Sequence, residues 1–152
     1  ISSDSSKSLA DFRNSLKGDD WDLYISKMQN YIKSSRASAG KSLLNFGSDI
    51  KYPIGQAWVF KVENSDLNTF VGAFSKLMKS IKFDGFVGVG QIIHGTDNGE
   101  SVYIYATYSD LNSAFSFGPK NDKESTAFSA FSKAIQGSEY SKTFTRVLIN
   151  RN

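Results

Sequence analysis

The sequence predicts an α+β fold in which a complete βαββαβ unit, residues 57–152, follows a partial copy of the same pattern, residues 1–52. The first observation is that segments of strand composition and segments of helical periodicity alternate in this order from residue 57 onward. The second is that each helix-like segment is apolar on one side only, which is typical of helices that cover one face of a sheet. The third is that two amphipathic segments and a strand-like run precede residue 52.

The complete unit opens with a predicted strand and a predicted helix. Residues 57–62 are rich in β-branched and aromatic side chains, which favour strands. Residues 66–81 carry apolar side chains at spacings of three and four, and this periodicity predicts one buried helical face. We expect Ser65 to cap this helix, with Asp66 in its first turn. The predicted buried face consists of Leu67, Phe70, Val71, Phe74, Leu77, Met78 and Ile81.

Two further strands are predicted at residues 86–94 and 101–108. The segment between them contains Asn98-Gly99, a dipeptide that favours a β-hairpin. Residues 109–112 then repeat the Ser-Asp-Leu-Asn of residues 65–68, again directly after a strand. We therefore expect the same capping arrangement and a short helix that ends near Phe117.

A second helix and a closing strand complete the unit. Gly118-Pro119 interrupts the chain, and residues 122–136 follow as an amphipathic segment. Its predicted buried face carries Phe128, Phe131 and Ile135, and Gly137 is the expected C-terminal stop. Residues 142–149 show the alternation of a strand. The two alternating sets are Thr143, Thr145, Val147 and Ile149, and Phe144, Arg146 and Leu148.

The N-terminal residues are interpreted as a degenerate repeat of two helices and a strand. Shifting four apolar residues by 103 positions places them on four others of the same type, Phe12, Ile25, Met28 and Ile32 on Phe115, Phe128, Phe131 and Ile135. The strand is predicted at residues 42–46 and the linker at residues 52–55. The repeat implies that a strand, a helix and another strand precede Ile1, so we expect a longer natural chain. The alternative is that two unrelated amphipathic helices align through their shared periodicity.

Composition excludes several classes of function. The chain has 152 residues and no cysteine, so disulfides, thiolate nucleophiles and cysteine-based zinc sites are excluded. Its single histidine excludes a multi-histidine metal site within one chain, and no metal site or cofactor is predicted. The net charge of +3 comes with scattered lysines, which does not favour nucleic-acid binding. No apolar run approaches the roughly 18 residues of a membrane helix, so no membrane partner is expected.

Both faces of the predicted sheet carry large apolar side chains. Trp58, Phe60 and Val62 alternate with Val59, and Tyr103 and Tyr105 alternate with Val102 and Ile104. Helices cover only one face of such a sheet, so the second face needs a partner surface. We expect self-association or intramolecular pairing with a second sheet formed by the N-terminal copy.

The element order and the two apolar faces resemble the dimeric α/β-barrel group of the ferredoxin-like folds, in which two βαββαβ units join sheet to sheet. The resemblance covers residues 57–152 and, more faintly, residues 1–50, and it rests on no diagnostic motif. It implies sheet-to-sheet packing and an apolar pocket that would accept a small apolar ligand. The residues expected to line that pocket are Trp58, Phe60, Tyr103 and Tyr105. The group includes cofactor-independent monooxygenases and haem-degrading proteins, so the fold alone implies no particular activity.

Catalytic candidates are few. His94, at the end of a predicted strand, is the one candidate for a general base or haem ligand, and either role requires an enclosed pocket. Asp97 does not extend it to a triad, because no Gly-x-Ser-x-Gly elbow is present. Residues 38–42 match the end of a phosphate-loop sequence. A phosphate loop follows a strand and precedes a helix, whereas here a predicted helix precedes and a predicted strand follows, so this role is rejected. Asp19, Asp20 and Asp22 are interpreted as helix capping rather than as a cation site.

Three functions are therefore considered. The first is a non-catalytic binding or assembly protein that uses an apolar sheet face. The second is a small-molecule enzyme or a binder of haem or aromatic ligands, with His94, Tyr103 and Trp58 as polar groups of the pocket. The third is an RNA-binding module that stacks bases on Phe60, Tyr103 and Tyr105, although the basic-glycine opening of that motif is missing.

Overall fold

The computed structural model describes residues 5–35, 37–47 and 52–148. The chain divides into two compact units, Ile1–Arg36 and Ala37–Asn152. The predicted boundary lies later, at residues 52–57. Each unit is described below by itself.

In residues 5–35, the described part of the first unit, the chain forms two helices, α1 (Ser6–Ser15) and α2 (Asp19–Gln29). Ser5 caps α1, because its Oγ accepts a hydrogen bond from the backbone N–H of Ser8 at 3.1 Å. Asp19, Asp20 and Asp22 lie in the first turn of α2, where they complement the helix dipole. Neither helix contains a fully buried residue. The predicted amphipathic faces are thus at most half-buried within this unit.

In residues 37–47 and 52–148, the described part of the second unit, the chain forms five strands, three α-helices and a 3-10 turn at Asn64–Asp66. The strands are β1 (Ala39–Gly47), β2 (Ile54–Lys61), β3 (Phe86–His94), β4 (Val102–Tyr108) and β5 (Glu139–Val147). The helices are α3 (Leu67–Ser80), α4 (Leu111–Phe115) and α5 (Asp122–Ala134). The α+β class predicted from the sequence is confirmed.

The five strands form one antiparallel sheet in the order β1-β3-β4-β2-β5. The sequence places β1 in a separate partial copy, but β1 pairs with β3 and extends the sheet of the second unit. The reason is its apolar side chains, because Leu44 and Phe46 pack against the core of this sheet. The ring of Phe46 meets the ring of Phe74 edge-on, with 6.1 Å between centroids.

The core lies between one face of the sheet and α3, α4 and α5. Helix α3 buries Phe70, Phe74, Leu77 and Met78, which are four of its seven predicted core residues. Phe131 of α5 meets Phe70 edge-on, with the ring centroids 5.7 Å apart. From the sheet, β4 contributes Val102, Ile104, Ala106 and Tyr108. Fully burying a large apolar side chain contributes about 1.5–3 kcal/mol, so this layer holds the helices on the sheet.

The helix caps differ from the predicted ones. Ser65 lies inside the 3-10 turn, and the residue before α3 is Asp66, whose side chain makes no capping hydrogen bond. In the second copy of the motif the cap is Asp110 rather than Ser109, because Asp110 Oδ1 accepts from the N–H of Ser113 at 2.8 Å. The two Ser-Asp-Leu-Asn sequences therefore do not share one capping arrangement.

Candidate functional site

The side of the sheet opposite α3, α4 and α5 carries two tyrosines of β4. Tyr103 and Tyr105 alternate with the core residues Val102 and Ile104, so they point away from the helices. Both are half-buried. We call the surface formed by Tyr103, Tyr105, Phe144 and Arg146 the tyrosine face.

Glycines lie beneath both tyrosines. A Cβ atom on Gly90 of β3 would overlap the ring of Tyr103, and one on Gly40 of β1 would lie 2.9 Å from its Cε1. On the other side, a Cβ atom on Gly55 of β2 would overlap the hydroxyl of Tyr105. The tyrosines therefore lean in opposite directions, each directly against glycine backbone. Gly90 thus has the close packing that is a common reason for a glycine within a strand.

Arg146 of β5 is fixed against Tyr105. Its Nη2 donates a hydrogen bond to the Tyr105 hydroxyl at 2.8 Å, and its guanidinium carbon lies 5.8 Å from the ring centroid. Phe144 lies two residues earlier on the same face and is 55% exposed. An aromatic surface with one positive charge results, and aromatic and arginine side chains are enriched in protein interfaces.

Glu100 lies in the connection between β3 and β4. It is a buried charged residue that no sequence pattern singles out as a candidate. Its side chain is only 2% exposed, and its Oε1 accepts from Lys142 Nζ at 3.0 Å and from Ser141 Oγ at 3.2 Å. Its Oε2 accepts from the N–H of Asn98 at 3.1 Å. The Lys142 bond, followed by the Asn98 N–H, lowers the pKa of Glu100 to about 2. Glu100 therefore stays ionised and ties the β3–β4 connection to β5.

The four predicted pocket residues do not line one pocket. Trp58 and Phe60 face the helices, where Trp58 packs on Phe117 with 5.4 Å between centroids and Phe60 on Phe70 with 5.2 Å. The register explains this, because β2 pairs with β4 through Trp58 opposite Ile104 and Val59 opposite Tyr103. Phe60 consequently shares no surface with Tyr103 and Tyr105.

His94 is exposed at the end of β3, where it pairs with Ala39 of β1. This exposure does not match the enclosed position that a general base or haem ligand needs. Among residues 5–35, 37–47 and 52–148, no three histidine, aspartate or glutamate side chains are grouped to hold a metal ion. Within the same residues, no helix has the length and apolar character needed to cross a membrane.

A shallow groove of about 390 Å³ lies between α3 and α5. Its lining includes small side chains, Gly72, Ala73, Ala127, Ala130 and Ala134. Its polar lining residues are Asn68, Thr69, Lys76 and Ser80, and Lys76 is the one charged group among the residues that line it.

The chain matches no protein-family model, and no curated protein or solved structure shows significant similarity to it.

Proposed function

We propose that this chain is a non-catalytic binding or assembly protein that docks its partner on the tyrosine face. The observation that carries the proposal is the packing of Tyr103 and Tyr105 onto glycine backbone. This packing makes a broad aromatic surface in which two phenol groups and a guanidinium are already ordered. Ordered aromatic and arginine side chains lose little conformational entropy on binding, which favours their use as interface anchors.

The ionisable groups support binding rather than acid–base chemistry. Among the described residues, the two carboxyl groups with a clearly lowered pKa serve the fold: Glu100 ties the β3–β4 connection to β5, and Asp110 caps α4. Burial raises the pKa of Tyr103, so its hydroxyl stays neutral and suits hydrogen bonding at physiological pH. The exposed position of His94 gives less support to the enzyme and haem-binding alternatives. The separation of Phe60 from Tyr103 gives less support to an RNA-binding module.

The partner that we propose is a second copy of the chain. The strands of residues 54–147 lie in the order β5-β2-β4-β3 and follow the element order βαββαβ, which supports a ferredoxin-like unit. In the dimeric α/β-barrel group that the sequence resembles, such units join through the sheet faces that their helices leave free. The tyrosine face lies on that side of the sheet, and sheet-to-sheet packing would bury Phe144.

Sedimentation velocity across micromolar concentrations tests this proposal with two matched variants. Phe144→Asp places a charge on the tyrosine face, whereas Phe115→Asp places the same charge on α4, where Phe115 is 71% exposed. We expect the wild type and Phe115→Asp to form dimers and Phe144→Asp to remain monomeric. A monomeric wild type, or equal behaviour of the two variants, contradicts self-association through this face.

A further inference from the structure

Two buried polar atoms on the helix-covered side of the sheet have no hydrogen-bond partner within the described part of the chain. They are Oε1 of Gln56 and the hydroxyl of Tyr108. Gln56 is 7% exposed and Tyr108 is 4% exposed. Because Gln56 pairs with Ala106 and Tyr108 pairs with Ile54, the two residues are diagonal neighbours on one face of β2 and β4.

The hydrogen-bonding roles of these two atoms are defined by their surroundings. Gln56 Nε2 donates to Thr145 Oγ1 at 3.2 Å, which leaves Oε1 as a free acceptor. Burial raises the pKa of Tyr108, so its hydroxyl is neutral and can both donate and accept. Each buried polar atom without a partner costs about 1–3 kcal/mol of folding free energy. Two such atoms on one face of adjacent strands therefore favour an occupant that can hydrogen-bond to them.

The walls beside Tyr108 are aromatic, and one of them comes from a loop. The Tyr108 ring meets Phe83 at 5.5 Å and Phe117 at 6.0 Å between centroids. Phe117 also contacts Trp58 and lies in the connection between α4 and α5, where it is half-buried. Gly118 follows it with open space at its Cβ position. The ring of Phe117 thus fills space beside Tyr108 from a segment outside the helices.

We infer that Gln56 and Tyr108 are the polar end of an internal binding site for a small, neutral aromatic alcohol, and that Phe117 fills this site in the free protein. A ligand hydroxyl group matches the chemistry of both atoms, because it can donate to Gln56 Oε1 and accept from the Tyr108 hydroxyl. An aromatic ring suits the walls formed by Trp58, Phe83 and the displaced Phe117. A charged ligand is disfavoured, since no opposite charge lies among these residues to offset its desolvation. The site lies on the opposite side of the sheet from the tyrosine face and is independent of it.

Phenol and toluene are matched probes, because they share a ring and differ in the hydroxyl group. Binding to the full chain is measured by calorimetry or by the shift in melting temperature, for the wild type, Phe117→Ala and Tyr108→Phe. We expect the wild type to prefer phenol about tenfold, the effect of one net hydrogen bond. Phe117→Ala binds phenol more tightly than the wild type, and Tyr108→Phe loses the preference.

Two results overturn the inference. The first is equal binding of phenol and toluene by the wild type and Phe117→Ala. The second is that phenol does not shift the melting temperature of the wild type, while Tyr108→Phe lowers the melting temperature. That result would mean that the Tyr108 hydroxyl binds only an internal water. If Phe117→Ala does not fold, the wild type and the conservative variants Tyr108→Phe and Gln56→Leu still decide between these results.

Discussion

Arg146 of the edge strand β5 reaches across β2 to Tyr105 of β4. Its Nη2 donates a 2.8 Å hydrogen bond to the phenol oxygen, and its guanidinium carbon lies 5.8 Å from the ring centroid. Gly55 makes this geometry possible, because it lies opposite Arg146 in β2 and carries no side chain between the two groups. The pair therefore presents an ordered charge and an ordered ring side by side.

Tyr105→Phe removes the acceptor for Arg146 and keeps the ring. We expect the dimer dissociation constant to rise about twofold to tenfold, because ordering the released Arg146 side chain on binding costs about 0.5–1.5 kcal/mol. The free energy of unfolding should fall by no more than about 0.5–1.5 kcal/mol, the net worth of one hydrogen bond within the chain. Tyr140→Phe is the control, because it removes a comparable 2.9 Å hydrogen bond to Thr143 on the other side of β5. Equilibrium sedimentation measures both variants, and an equal effect of the two substitutions would contradict the assignment of the interface.

Gly90→Ala tests the contact between glycine backbone and Tyr103. Because the new methyl group overlaps the tyrosine ring, we expect a loss of about 1–3 kcal/mol in the free energy of unfolding. Gly72→Ala is the matched control, since this glycine lies in α3 with nothing within 4 Å of its Cβ position. In a helix this replacement should stabilise the protein by about 0.5–1 kcal/mol. Urea denaturation measures the free energy of unfolding of both variants. A stabilising effect of Gly90→Ala, like that expected of Gly72→Ala, would show that Tyr103 does not pack on Gly90.

Glu100→Gln tests the ionised carboxylate that joins the β3–β4 connection to β5. The folded-state pKa of about 2 lies below the ordinary value of 4.5, so ionised Glu100 stabilises the fold above about pH 5. That contribution falls as the pH drops from about 5 to 2. We expect Glu100→Gln to be less stable than the wild type at pH 7 and the difference to shrink steadily toward pH 3.

Glu139→Gln is the control for this pH series. Glu139 pairs with Lys61 at 2.8 Å but is 67% exposed, so its removal should change stability little. Urea denaturation at several pH values gives both comparisons. A Glu100→Gln difference that does not vary with pH would show that Lys142 does not hold an ionised carboxylate.

Local patterns were sufficient to predict the order of the elements and the buried stripe of α3, because helical and strand periodicity are properties of neighbouring residues. The alternation of Tyr103 and Tyr105 with core residues was also visible. The sequence does not show which residues of β2 lie on the same face as these tyrosines, because register depends on pairing between distant strands. Sequence patterns alone therefore place Trp58 and Phe60 with the tyrosines, whereas the register places them on the opposite face. The role of Glu100 has no local sequence signal, because its partner Lys142 lies 42 residues away.

The position of β1 was also outside the reach of local patterns. Its predicted strand character is confirmed, but its place beside β3 depends on Leu44 and Phe46 completing the core. An internal repeat is recognised by sequence similarity alone. Sequence similarity does not indicate which edge of a sheet a strand extends. For the same reason, the predicted linker at residues 52–55 contains the first two residues of β2.

The most direct measurement for the proposed function is the concentration dependence of the tyrosine ring signals in NMR spectra. If two copies join through the tyrosine face, the ring signals of Tyr103 and Tyr105 shift together as the protein concentration rises, and Tyr140, on the opposite side of β5, stays unchanged. Ring signals of Tyr103 and Tyr105 that stay constant over the range in which sedimentation detects a dimer would contradict the proposal.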